Sequence, residues 1–442
     1  MIALGFASQL LGIPADKVKA VVARSLKKGA EQLPASVAAI EAGRAAAAGE
    51  GAAFTLAAPP AARAKRWLIT GNQAAGFGAI RGGVRFVAAY PITPATELLE
   101  YMAPALPQVG GVLVQAEDEL ASVNMIVGAS YGGVPALTAT AGPGLALMTE
   151  ALGLAVAAEV PIVVVDVMRG GPSTGIPAKS EQSDVSIALW GLHGDAPRLV
   201  IAPNSIADCL TATQWAVHLA EALQAPAIVL SDQFFGQARA VTDRPADSGL
   251  VGERLTAPAG SEGYKRYAVT DSGVSPMAIP GTPGLAYTAD GLEHSERGIP
   301  SSGAADHRVQ LAKRERKLVA HDYGAQWADV EGEGGIAVVT FGSCTGAARE
   351  AIARARADGV NARLVSMRLL APARPKLLAA ALDGVDRVLV VEQNHGGQFL
   401  RYLRAEFELP RTVRSFRHPG PLPIRPEEVH RQILALEEES PR

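Results

Sequence analysis

From residue 66 onward, short apolar runs rich in β-branched residues alternate with helical stretches, and this alternation most constrains the fold. The runs fall at 67–70, 85–90, 112–115, 135–140, 161–167, 198–202 and 225–231. Helical patterns fill the intervals, among them 94–102, 119–132 and 144–158. Short, continuously apolar strands separated by helices need a sheet covered on both faces, which predicts a doubly wound parallel-sheet domain over residues 66–240. Ligands of such sheets sit beyond the carboxyl ends of the strands, so the segments that follow each run carry the candidate chemistry.

The pattern breaks over residues 241–332, where Gly, Pro and Ser are frequent and one charge-rich stretch predicts a short helix near 306–319. A connection of that length is unusual unless it has a function or forms an interface. Residues 333–442 read as a second, smaller doubly wound parallel-sheet domain. Its strands are expected at 336–341, 363–367, 387–392 and 412–416, with helices at 345–357, 375–382, 397–407 and 426–438. Residues 1–65 form a short helical N-terminal extension, with helices expected at 2–11 and 15–47 and an Ala- and Pro-rich linker over 49–64. This opening has no strand and too little apolar surface to be a domain of its own. The overall class is α/β.

A hydrophobic content of 48% against 19% charged residues leaves a sparsely charged surface and points to area buried against other subunits. A net charge of −3 gives no basis for nucleic acid or an anionic membrane as partner. No stretch of about 18 apolar residues predicts a membrane span. The apolar start, MIALGFASQLL, lacks the basic flank of a signal peptide, so a cytoplasmic setting is expected. Two solitary cysteines, Cys209 and Cys344, read as reduced, packed thiols. Iron–sulfur clusters need about four thiolates at short spacing, so any cluster serving this chain sits on another polypeptide.

Four segments carry candidate chemistry. In YPITPATE (90–97), Pro91 and Pro94 fix the backbone around Thr93. Thr93 is either the N-cap of the next helix or, with the free amides there, a carboxylate-binding hydroxyl. Glu117, Asp118 and Glu119 open an apolar helix, where carboxylates complement the dipole. TAGPG (140–144) is a tight strand-to-helix turn, equally readable as a binding loop. RGGPSTGIPAKSEQSD (169–184) follows the most apolar strand; Arg169 offers a bidentate donor set for a carboxylate, or is an arginine in a surface loop.

Taken in order, these segments resemble the α subunits of 2-oxoacid:ferredoxin oxidoreductases, most closely the 2-oxoglutarate type, over about residues 67–440. The resemblance implies a thiamine pyrimidine-binding-like domain followed by a transketolase C-terminal-like domain. It implies that Tyr90 and Thr93 of the YPITP motif contact the 2-oxoacid and that Arg169 binds its carboxylate. Ser173, Thr174 and Lys179 would face the distal part of the substrate. The cofactor would lie against Thr140, Gly142, Pro143 and Gly144, although Ala141 stands where the family has Ser. Thiamine diphosphate works only when a buried Glu promotes the imino form of its aminopyrimidine. Glu119 lies nine residues before Gly128–Ala129, the family spacing, and is chosen over Glu117.

The diphosphate and Mg²⁺ site of such enzymes needs a GDG motif, and none occurs; Gly194–Asp195 is followed by Ala196. The resemblance thus implies a β subunit carrying the diphosphate, Mg²⁺ and a [4Fe-4S] cluster. Coenzyme A would be co-substrate, ferredoxin or a related carrier the electron acceptor, and the assembly a hetero-oligomer. Residues 1–65 resemble the tail of a γ module whose remainder is a separate chain or lies upstream of a start set too far downstream. The activity implied is oxidative decarboxylation of 2-oxoglutarate to succinyl-CoA. Another 2-oxoacid (pyruvate or an aryl-glyoxylate) and a noncatalytic scaffold subunit are the alternatives. No metal site is expected on this chain: His294 and His307 in and after GLEHSERG (291–298) fit no zinc spacing. That segment and EQNHGGQ (392–398) are expected to serve packing between domains or subunits.

Overall fold

A computed structural model describes residues 1–26, 30–49, 56 and 66–439. It divides into two compact units, Met1–Lys65 and Arg66–Arg442. In the first, three helices form: α1 (Ile2–Leu10), α2 (Ala15–Ser25) and α3 (Leu33–Ala47). The single helix expected over 15–47 is therefore two. Pro34 sits in the first turn of α3, where its missing N–H costs nothing but where it cannot continue a preceding helix. The linker expected at 49–64 lies almost wholly outside the described residues.

Although Val18, Val22 and Ile40 make only a small apolar cluster, α1 and α3 approach backbone to backbone. A Cβ on Gly5 would lie 2.0 Å from the Ile40 carbonyl oxygen, and one on Gly43 2.0 Å from that of Ile2. Gly43→Leu should cost about 1–3 kcal/mol through overpacking. Faster amide hydrogen exchange across Ile2–Leu10 is the check; unchanged protection would show that the close crossing does not hold the unit together.

The second unit contains a seven-stranded sheet, a five-stranded sheet and a two-stranded ribbon. The ribbon pairs β1 (Arg66–Thr70) antiparallel with a strand at Arg239–Asp243. The run at 67–70 was expected in the parallel sheet; it lies outside because its side chains alternate between exposed and covered and cannot sit between two helical layers. A helix unanticipated from the sequence, α4 (Gly71–Gly82), follows, started by a capping box in which Thr70 and Gln73 bond reciprocally. The chain then runs β2 (Phe86–Ala89), α5 (Thr96–Ala105), β3 (Val112–Gln115), α6 (Glu119–Tyr131), β4 (Ala136–Thr140), α7 (Gly142–Ala157) and β5 (Val163–Met168). After α8 (Val185–Trp190) come β6 (Leu199–Ile201), α9 (Asp208–Leu223) and β7 (Ala227–Asp232), then the short α10 (Gln233–Gln237) and β8 (Arg239–Asp243), which closes the ribbon. Among β2 to β7 every pairing is parallel. In β5, Val163, Val164 and Val165 are buried on both faces.

Residues 241–332 are pinned to this domain rather than free. Arg254 forks onto Glu221 at 2.8 and 2.9 Å, and both side chains are buried. Helix α11 (Ala304–Val319) places Lys313 and Lys317 on Glu159, the residue that turns the chain after α7. The GLEHSERG segment has a structural explanation. Glu293 takes two bonds from Arg314 and one from His307; His294 stacks on Tyr267 at 3.6 Å; Glu296 accepts from Lys265 and from the Val269 amide.

The second sheet begins earlier than residue 333. Its antiparallel edge is β9 (Ala328–Glu331), followed by β10 (Ile336–Thr340), α12 (Cys344–Ala357) and β11 (Ala362–Met367). Next come β12 (Leu369–Ala371), α13 (Pro375–Ala381), β13 (Arg387–Glu392), α14 (Gln398–Glu406), β14 (Thr412–Arg417) and α15 (Pro426–Glu438). β12 leaves this sheet and pairs antiparallel with β6, completing the seven-stranded one. No described helix is long and apolar enough to cross a membrane.

Candidate active site

The order of the first sheet, β12-β6-β7-β5-β4-β2-β3, fixes where a ligand can enter. The chain moves from β2 outward to β3, then returns to β4 on the opposite side. The crevice beyond the carboxyl ends of β2 and β4 is thus a topological switch point. The loop after β2 carries Tyr90 and Thr93; the turn after β4 carries Gly142, Pro143 and Gly144. Glu119 follows β3 and Arg169 follows β5, so all four segments singled out in the sequence meet this edge.

Glu119 is the first residue of α6, behind Asp118, whose carboxylate caps the helix by accepting from the Ala121 amide at 2.6 Å. Glu117 and Asp118 are exposed, whereas Glu119 is only 8% exposed. No hydrogen bond to its carboxylate is made among the described residues, so it can take one from a ligand in the crevice. A Cβ added to Gly144 would stand 2.0 Å from Thr140 Oγ1, 2.7 Å from Glu119 Cγ and 2.9 Å from Glu119 Oε1. Glycine at 144 is what lets Thr140, the turn and the glutamate occupy one place.

Thr93 does not cap a helix. Helix α5 starts three residues later at Thr96, after a turn in which the Ile92 carbonyl accepts from the Ala95 and Thr96 amides; Pro94 belongs to that turn. The hydroxyl of Thr93 is left at an exposed position, as is Tyr90. Arg169 Nη1 donates to the Thr93 carbonyl at 2.6 Å and ties this loop to the one after β5. Arg169 is only 6% exposed, which removes the surface-loop alternative, and its Nε is buried without a partner. Ser173, Thr174 and Lys179 all lie on an exposed loop and meet neither Glu119 nor Thr93 in this chain.

Three further residues of the site were not anticipated. Asn72 is buried in α4 and donates to the Pro94 carbonyl at 2.8 Å, supporting the Thr93 loop from behind. Asp184 lies against Gly142 of the turn, and Asp166, fully buried in β5, is paired in register with Thr140 just before it. An acid inside the apolar run PIVVVDVM was a signal available in the sequence.

Residues 77–314 match the family model described as pyruvate flavodoxin/ferredoxin oxidoreductase, thiamine diphosphate-binding, and residues 335–428 match pyruvate:ferredoxin oxidoreductase core domain II. The 2-oxoglutarate synthase subunit KorA of Methanothermobacter marburgensis is 35% identical over 401 residues, covering 84% of this chain and 99% of that one. The 2-oxoacid:ferredoxin oxidoreductase 2 subunit alpha of Aeropyrum pernix is also 35% identical, covering 78% of this chain and 58% of its own. The solved 2-oxoglutarate:ferredoxin oxidoreductase of Magnetococcus marinus, with 2-oxoglutarate, coenzyme A and succinyl-CoA bound, is 40% identical. It superposes with a TM-score of 0.91, covering 98% of this chain and 76% of that one. With both sheets matched by family models in order, and curated relatives matched over nearly their full length, this chain belongs to the 2-oxoacid:ferredoxin oxidoreductase family, among its 2-oxoglutarate synthase α-type subunits.

Proposed function

We propose that this chain is the α subunit of an enzyme that converts 2-oxoglutarate, coenzyme A and two oxidised ferredoxins to succinyl-CoA, carbon dioxide, a proton and two reduced ferredoxins, reversibly. The observation that carries the reading is Glu119, 8% exposed and packed against Gly144 and Thr140 at the switch point, with Arg169 bonded to the Thr93 loop at the same edge of the sheet. The named relatives and the ligands of the Magnetococcus marinus enzyme support the choice of 2-oxoglutarate.

Thiamine diphosphate, when bound, supplies an acidic C–H whose conjugate base adds to the 2-oxo carbon and accepts the electron pair released with carbon dioxide. The residues here fit its pyrimidine end. Glu119 provides a proton-exchanging oxygen for the ring nitrogen from a largely buried side chain. The turn of residues 142–144 gives a close, side-chain-free approach, and Thr140 backs it. Arg169, fixed at one nitrogen by the Thr93 carbonyl, keeps donors for the substrate carboxylate, and the Thr93 hydroxyl adds another. Tyr90, Ser173, Thr174 and Lys179 stand on the exposed side, where they would border the longer arm of a dicarboxylic acid.

A β subunit holding diphosphate, Mg²⁺ and a [4Fe-4S] cluster would complete the pocket. The surface next to Glu119 supports a shared site. Helices α6 and α7 are apolar on nearly every side, yet Leu120, Met125 and Leu147 are 50%, 42% and 50% exposed. Helices of that character are normally covered.

The test is the complex of this chain with its partner carrying Arg169→Ala. The KM for 2-oxoglutarate should rise about 10- to 100-fold, the range for losing a hydrogen bond to a charged group. Unchanged acyl-CoA formation at low substrate would remove the role assigned to Arg169.

A further inference from the structure

The second sheet has a switch point of its own. Its order, β14-β13-β10-β11-β9, puts the crevice between the carboxyl ends of β10 and β13, where such sheets bind ligands. In this chain the crevice is filled from the first domain. Gln182, fully buried, donates Nε2 to the Phe341 carbonyl at 2.9 Å and accepts at Oε1 from the Gln393 amide at 2.9 Å. Its own amide donates to the Gln393 carbonyl at 2.7 Å, and its carbonyl accepts from Asn394 Nδ2 at 3.2 Å. Gln398 extends the grip, accepting from the Ser186 amide and donating to the Ser183 carbonyl, both at 2.8 Å. Gln393 Nε2 donates to the Ser180 carbonyl at 3.2 Å. EQNHGGQ is therefore a clamp on residues 180–186.

Asp184 lies in the middle of the clamped stretch, and its side chain points away from the clamp. A Cβ added to Gly142 would sit 2.5 Å from Asp184 Oδ1 and 2.7 Å from Oδ2. The other neighbour of Asp184 is Asp166, paired in register with Thr140 across β4 and β5; both Asp166 oxygens and Oδ2 of Asp184 are buried with no donor among the described residues. The remaining charged groups that face the pair are Glu181, which opposes a second negative charge, and Arg169, whose Nη1 is engaged by Thr93. Two neighbouring carboxyl groups, both buried and without a donor or a hydrogen-bonded cation, cannot both be ionised at modest cost.

We propose that Asp184 is a positioning residue for the turn of residues 142–144, delivered to it by the second-domain crevice through Gln182 and held there by a proton shared with Asp166. The proposal rests on the thiamine diphosphate reading of that turn. It assigns the second domain a task in the site of the first. Burial pushes the Asp184 carboxyl up to about 7, and burial with the neighbouring Asp184 raises Asp166 further in the same direction, so the pair retains a proton at neutral pH.

The sign of the linkage follows. An acid whose value is raised on folding binds more protons folded than unfolded, so its contribution is present at low pH and lost as pH rises from the ordinary Asp value to about 7. Thermal melting of the full chain with its partner, from pH 5 to pH 8, is therefore compared for wild type and Asp184→Asn. The isosteric, neutral Asn should melt several degrees higher relative to wild type at pH 8 than at pH 5. Asp184→Ala, which leaves the turn unsupported, should lose at least ten-fold in kcat with little change in KM for the 2-oxoacid. A wild-type pH dependence of melting in the Asn variant overturns the shared proton, and that result stands even if the Ala variant does not fold. Unaltered kcat in a folded Ala variant overturns the positioning role. Melting needs no turnover, so absence of 2-oxoacid oxidation by the wild-type complex would count against the proposed function and leave the melting comparison decisive for the pair.

Discussion

Glu119→Gln should lower kcat for acyl-CoA formation by about 10²- to 10⁴-fold, the range of a lost proton-transfer group, while the protein stays folded. The two effects separate because of where the carboxylate sits. It is almost fully buried at the start of α6 and no described group bonds to it. An amide of the same shape keeps the packing against Gly144 and removes an unpartnered charge, so thermal stability should hold or rise. What is lost is an oxygen that can exchange a proton at the pyrimidine. The measurement is steady-state turnover at saturating 2-oxoglutarate and coenzyme A, alongside circular dichroism melting. Turnover within about three-fold of wild type would remove Glu119 from the chemistry, and Glu117 is too exposed to take its place.

The largest stability effect is expected away from the site. Glu159→Gln should destabilise the chain by about 3–5 kcal/mol, since it strands buried cations. Glu159 is fully buried, with Lys313 Nζ at 2.7 Å and Lys317 Nζ at 2.9 Å; Lys317 also donates to the Gln224 carbonyl. Arg266 contributes from the same side, donating to the Glu159 backbone carbonyl at 2.9 Å. Burial alone would raise the Glu159 carboxyl, but Lys317, Lys313 and Arg266 together hold it below the ordinary carboxylate range. Burial pushes Lys313 the other way, down to about 8, despite its glutamate. The two directions are compatible: three cations share one anion, so the anion gains more than each cation does. Chemical denaturation of the variant reads the loss directly. A change under about 1 kcal/mol, the scale of an exposed pair, would mean that water reaches this cluster.

Much of this was legible in the sequence because the informative signals are local. A continuous run such as 161–167 has few options beyond a strand covered on both faces, and six of the seven runs in the first domain take their places in the parallel sheet. The short strands failed for the opposite reason. β12 has three residues and β9 four, and their pairing partners are far along the chain. The site divides in the same way. Segments that end strands could be located, so Glu119, Thr93, Arg169 and the turn of residues 142–144 all fall at the carboxyl edge of the first sheet. Residues whose meaning depends on a tertiary neighbour could not. Asp184 was visible only as part of a longer match, and nothing local reveals that it meets Asp166. The same holds for GLEHSERG, whose glutamates acquire a purpose only when α11 brings Arg314 and the connecting loop brings Lys265.

The pairing of β12 with β6 restricts how the molecule can move. Leu369 and Ala371 join the first sheet midway through the second domain, and Arg368 beside them bonds to Asp208 on one side and Asp329 on the other, each at 2.8 Å. A clamshell opening about a hinge between the two sheets would have to tear this stitch. The motion left to the segments at the crevice is local loop displacement, with the two sheets of residues 66–442 travelling as one body.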